Sequence, residues 1–90
     1  MIYQIEFRPR ALKDLRALSS QNQARVLSGV AKLSENLAGD VKHLTDTSPE
    51  YRLRTGDYRV LFEIEKHEEE EEAVAFAIIY RVLPRNEAYR

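Results

Sequence analysis

Ninety residues, 43% apolar and 32% charged, suffice for one small domain spanning 1–90 and leave no room for a second. The chain has no cysteine, which excludes disulfide scaffolds, thiolate metal sites and cysteine nucleophiles. Its net charge of −1 hides an asymmetry: of fifteen acids and fourteen bases, seven acids and one base fall between Glu63 and Glu72, so the remainder carries an excess of five positive charges.

Ile2 to Phe7 alternates, with Tyr3, Ile5 and Phe7 on one face, and reads as a short strand with one buried side. Pro9 suits the first turn of a helix, where a missing N–H costs nothing. Ala11, Leu12, Leu15 and Leu18 then form a helical stripe. Ser19-Ser20 interrupts it, and Gln21 to Leu37 resumes it through Val26, Leu27, Val30, Leu33 and Leu37. Gly39 stands where a helix end favours positive φ. The two helices, so close in sequence, are expected to form an antiparallel hairpin.

Asp40 to Pro49 reads as a loop. The period then changes to two. Tyr51, Leu53 and Thr55 alternate with Arg52 and Arg54, and Gly56-Asp57 is a two-residue hairpin turn with glycine first. Tyr58, Val60, Phe62 and Ile64 continue the alternation. Lys66 to Glu72 reads as a longer, glutamate-rich turn, a solvated tip pointing away from any nucleic acid. Ala73 to Val82 is the last strand, closed by Pro84, with Arg81 on the face opposite Tyr80 and Val82. Tyr58 and Tyr80 are expected to pack in the core.

The order strand, helix, helix, strand, strand, strand predicts an α+β fold, β-α-α-β-β-β. Its antiparallel sheet is covered on one face by the helical hairpin. The longest apolar run, Ala73 to Tyr80, is too short to span a bilayer, so no membrane partner is expected. The start, Met1-Ile2-Tyr3-Gln4, lacks the charged and apolar stretches of a signal peptide, and a cytoplasmic location is expected. Two histidines, His43 and His67, make no His-rich zinc site, and no motif calls for a metal or cofactor.

The Gly56-Asp57 turn fixes a register in which Arg54 faces Arg59 and Arg52 faces Leu61, so the three arginines project from one sheet face. Like charges directly opposite are unfavourable unless an anion neutralises them. Guanidinium forks match phosphate oxygens with paired hydrogen bonds. Arg81 and Arg85 follow from the last strand and tail, and Lys42 and His43 precede the first arginine strand. The pattern points to a phosphate-binding face.

Three stretches now carry a resemblance: Phe7-Arg8-Pro9-Arg10-Ala11-Leu12-Lys13-Asp14-Leu15, Tyr51-Arg52-Leu53-Arg54-Thr55-Gly56-Asp57-Tyr58-Arg59-Val60, and Val82-Leu83-Pro84-Arg85-Asn86-Glu87-Ala88-Tyr89. In order and spacing, over nearly the whole chain, they resemble the RelE/ParE superfamily of toxins from type II toxin–antitoxin pairs. The RelE-like branch implies a ribosome-dependent mRNA endonuclease (an mRNA interferase) that cuts in the A site and inhibits translation. Its implied partners are a cognate antitoxin, the ribosome and mRNA. The ParE branch implies instead a non-catalytic inhibitor of DNA gyrase, and a decayed toxin that retains only antitoxin assembly is a third alternative.

The resemblance assigns catalytic roles to Arg59 and Arg85, as transition-state cations, and to Tyr89, which stacks on the substrate base. Arg52 is a further catalytic position, where many members carry lysine. Arg54, Arg81, Lys42 and His43 are the expected substrate-binding residues. Pro84 stands where many relatives have lysine or histidine, so a proton donor is sought in His43, Tyr89 or the ribosome.

Overall fold

The computed structural model describes residues 2–69 and 72–85. Strand β1 (Tyr3–Phe7) leads into helix α1 (Pro9–Arg16) and helix α2 (Ser20–Leu33). Strands β2 (Asp40–His43), β3 (Tyr51–Thr55), β4 (Tyr58–Glu69) and β5 (Glu72–Pro84) follow. They form one sheet in the order β1-β5-β4-β3-β2. β1 runs parallel to β5, and the other neighbours are antiparallel.

The α+β arrangement with helices packed on the sheet is as expected, but the sheet has one strand more and one parallel edge. The extra strand, β2, lies in the stretch expected to be a loop. Gly39 adopts φ +114° immediately before it. A Cβ there would stand 3.0 Å from a Leu53 methyl, so glycine lets the chain approach β3 closely.

Local chemistry explains both helices. Pro9 opens α1 behind an extended Arg8. Ser19 caps α2 by accepting a hydrogen bond from the Asn22 N–H at 3.3 Å, which satisfies one of the free amides of the first turn. α2 stops at Leu33 rather than Leu37. Asn36 and Leu37 both adopt positive φ, 59° and 57°, which ends the right-handed helix.

Ala11 and Leu15 of α1 and Val26, Val30 and Leu33 of α2 bury against Leu53, Val60, Phe62, Ala75, Ala77, Ile79 and Val82. Each large apolar side chain fully buried in such a core contributes roughly 1.5–3 kcal/mol. The helix-facing parity of β5 changes along its length. Leu61 pairs with Arg81 but Phe62 pairs with Ile79, so Tyr80 is an extra residue at a bulge. The bulge lets both Ile79 and Val82 face the helices. Tyr80 is therefore not a core residue as expected: it is half-buried and outside the core cluster. The Arg8 guanidinium lies 5.7 Å from its ring centroid.

The acidic segment is not a turn up to its tip. β4 runs on to Glu69, with His67 opposite Val74 and Glu69 opposite Glu72. β3 reaches only Phe62 and β1 only Ala75. The end of the β4–β5 hairpin thus projects as a two-stranded arm. At about 3.3 Å per residue, Glu68 lies some 30 Å along the strand from Arg59.

Candidate nucleic-acid interface

The strand registers assemble the basic residues into two rows across the sheet. One row runs Lys42, Arg52, Leu61, Arg81, and the next runs Asp40, Arg54, Arg59, Leu83. Both belong to the face away from the core. Leu53 and Val60, the neighbours of these residues along the strands, are in the helix-packed cluster. The hairpin turn that fixes this register has Gly56 at φ +58°.

Two of the arginines are not solvated surface groups. Arg52 is 8% exposed and Arg59 4%. Leu61 and Ile78, on the same face, are buried as well. Arg59 donates from Nη1 to the Tyr58 carbonyl at 3.1 Å. Arg52 has the Asp40 carboxylate 3.6 Å from its Nη1. Among the described residues, the Nε of each arginine is buried and has no hydrogen-bond partner. A buried charged donor without a partner is costly, and native proteins rarely leave one. Two such donors on one face, with Arg54 directly opposite Arg59, make a site electrostatically suited to an anion.

The other expected site residues divide. Lys42 and Arg54 are exposed and belong to the rows just described. Arg85 lies at the same end of the sheet: its N–H donates to the Asp57 carbonyl at 2.8 Å, closing β5 onto the hairpin turn.

Arg81 does not present a free charge to this face. Its Nε and Nη2 donate to the two carboxylate oxygens of Asp14, at 2.7 and 3.2 Å. Asp14 also accepts from the Val82 N–H at 3.0 Å. β1 ends at Phe7, so Asp14 of α1 supplies the acceptor that a continuing edge strand would have offered β5.

His43 falls on the opposite side from the arginines. It pairs with Tyr51, its ring 4.9 Å from the tyrosine ring, and Tyr51 stacks on Phe62 at 5.5 Å. Its Nε2 lies 3.6 Å from Glu50. Register parity separates it from the Lys42 row. Tyr89 lies outside the described residues. Asp14 and Asp40 are the residues that sequence reasoning passed over. Asp14 was visible only as a polar position beside an apolar stripe, and Asp40 as part of an apparent loop.

Among the described residues no cluster of three or more His, Asp or Glu side chains could hold a metal ion, and no helix is long and apolar enough to cross a membrane.

A family model described as the ParE toxin of type II toxin–antitoxin systems matches residues 5–89. The chain belongs to this toxin family. No curated protein matches it. Among solved structures it is similar to the RelBE2 toxin–antitoxin complex of Mycobacterium tuberculosis, at 26% identity and TM-score 0.73, covering 94% of this chain and 100% of that one. It is also similar to the RelE–RelB complex of Pyrococcus horikoshii, at 26% identity and TM-score 0.68, covering 98% and 100%. The RelB–RelE complex of Methanococcus jannaschii, at 24% identity and TM-score 0.63 over 93% and 94% of the chains, shares the fold. The chain is thus a toxin of the type II toxin–antitoxin class with the RelE-like α+β fold.

Proposed function

We propose that this toxin is a ribosome-dependent mRNA endonuclease whose arginine face holds the scissile phosphate in the A site, and that a cognate antitoxin neutralises it. The single observation that carries this reading is the pair of buried guanidiniums, Arg52 and Arg59, each with an Nε that has no partner among the described residues. Preorganised cations in a dry site stabilise charge that develops in the transition state far more than they would in water. In the proposed reaction the ribose 2′-OH attacks the adjacent phosphorus, the 5′-oxygen leaves, and a 2′,3′-cyclic phosphate remains. Arg59 and Arg52 neutralise the equatorial oxygens, and Arg54, Lys42 and Arg85 draw the flanking phosphates to the same end of the sheet. A guanidinium stays protonated and offers no acceptor, so it cannot take the 2′-OH proton. A ribosomal group takes that proton, Tyr89 or a ribosomal group protonates the leaving 5′-oxygen, and Tyr89 stacks on the base. The antitoxin partner is supported by the relatives, which are toxin–antitoxin complexes.

A second reading has its own support. The family model that matches is the ParE one, and a ParE-like toxin would inhibit DNA gyrase without cutting RNA. Primer extension on mRNA from a translating extract, run beside a gyrase supercoiling assay, separates the two. Discrete cuts at A-site codons with normal supercoiling support the nuclease. Blocked supercoiling without cuts supports the gyrase inhibitor.

A further inference from the structure

Asp40 is the one carboxylate in the two rows that carry the arginines. It pairs with Arg54 across β2–β3, and its Oδ1 lies 3.6 Å from Arg52 Nη1. That separation gives an ion pair without a short hydrogen bond. The partners are unequal in environment: the Arg52 side chain is 10% exposed, whereas that of Asp40 is 58% exposed. Lys42 stands two residues along the same strand, on the same side.

The contrast with Asp14 is informative. Asp14 engages Arg81 through two hydrogen bonds and takes a backbone N–H as well. That carboxylate is fully committed, and its arginine is held as a structural element. Asp40 offers Arg52 only a longer contact, does not reach Arg52 Nε, which has no partner among the described residues, and keeps most of its own surface in water. A carboxylate held this loosely beside a buried cation lowers the local positive potential, yet it can be displaced by a better acceptor.

We propose that Asp40 is a built-in competitor for the anion: it occupies the Arg52 end of the face in the free protein and yields to an RNA phosphate, thereby setting the affinity of the site. This rests on the arginine face being the phosphate site. Asp40 acts through Arg52 and Arg54 and is a positioning residue, not a catalytic one.

The test is anisotropy titration of a short single-stranded RNA carrying 2′-O-methyl groups, which bars cleavage. It is run at several salt concentrations on the parent protein and on Asp40→Asn, Arg52→Ala, Arg59→Ala and the Asp40→Asn/Arg52→Ala double variant. Asp40→Asn keeps size and removes only the charge. Its affinity is expected to rise about three- to tenfold, as loss of a nearby opposing charge implies. Its plot of log affinity against log salt should steepen by up to about 0.7, one more phosphate contact on a single strand. In the Arg52→Ala background most of the gain should vanish, because the competitor has lost its target. A purely structural role predicts unchanged or weaker binding with the same salt slope, and that result overturns the inference. If the parent and Asp40→Asn both bind no better than Arg59→Ala, the face is not a phosphate site and both readings fall. If the parent binds better than Arg59→Ala but Asp40→Asn matches the parent, only the role of Asp40 falls.

Discussion

Arg54 and Arg59 stand directly opposite one another across the β3–β4 ladder, two like charges in a position where cross-strand neighbours are about 5 Å apart. Arg54 is exposed and can turn to solvent, but Arg59 is buried, and its Nε has no partner among the described residues. In the free protein this arrangement works against stability. Replacing Arg59 by methionine, similar in length and uncharged, is expected to raise the unfolding free energy by about 1 kcal/mol, since buried unpaired charge is removed. Urea denaturation of the two proteins measures it. A large loss of stability would show that Arg59 is a structural member of the face.

Asp14 should matter to the fold. Asp14→Ala breaks three hydrogen bonds, two of them to the Arg81 guanidinium, in a half-buried setting. We expect a loss of about 2 kcal/mol, within the range for hydrogen bonds to charged groups. Arg81→Ala should cost less, because Asp14 retains the Val82 N–H. A folded Arg81→Ala protein should cleave as the parent does. A selective loss of cleavage would assign Arg81 to the substrate after all.

At Gly29, α2 comes close to β3. A Cβ there would lie 2.7 Å from Thr55 Oγ1 and 2.9 Å from Thr55 Cβ. Gly29→Ala normally gains up to about 1 kcal/mol in a helix, but the clash is with a β-branched side chain on a packed strand. A net loss of about 1–2 kcal/mol is expected from overpacking. Because Thr55 adjoins the Gly56 turn, the same change should also disturb the hairpin that sets the arginine register. Thermal unfolding and amide exchange in β3 would register both effects, and a stabilised protein would contradict the packing argument.

The acidic arm should be dispensable for cleavage. Replacing Glu68 to Glu72 by serine and threonine keeps strand-compatible side chains while removing five charges. The arm lies some 30 Å along the strand from Arg59. Cleavage and stability are expected to stay within about twofold and 0.5 kcal/mol of the parent, as for surface changes remote from packing. A strong loss of activity would place a binding function on the arm.

Much of this architecture was legible from residue order. The Gly56-Asp57 turn fixed the β3–β4 register residue by residue, because a two-residue hairpin permits no slack, and the arginine rows follow from it. Other features left weak signals. β2 has a single apolar residue, Val41, among polar ones, so period two was invisible. The Tyr80 bulge sits in a run, Phe76 to Val82, that is almost wholly apolar and so carries no parity to break. Glu68 and Glu69 belong to a glutamate run that reads as a turn by composition, but the ladder begun at Tyr58 carries these two into strand. The burial of Arg52 and Arg59 is a tertiary effect, since arginine in an alternating strand ordinarily reads as solvent-facing. His43 adjoins Lys42 in sequence but lies on the other side of the sheet by alternation, which could not be read while Asp40 to His43 passed for a loop.

The most direct test of the arginine face is the cleavage rate of Arg59→Ala on ribosome-bound mRNA, measured by primer extension beside the parent at equal folded concentration. The parent should give discrete A-site cuts. The variant should retain its fold and slow by more than tenfold, a loss of at least about 1.4 kcal/mol of transition-state stabilisation. Equal cutting by a folded Arg59→Ala protein would contradict the account.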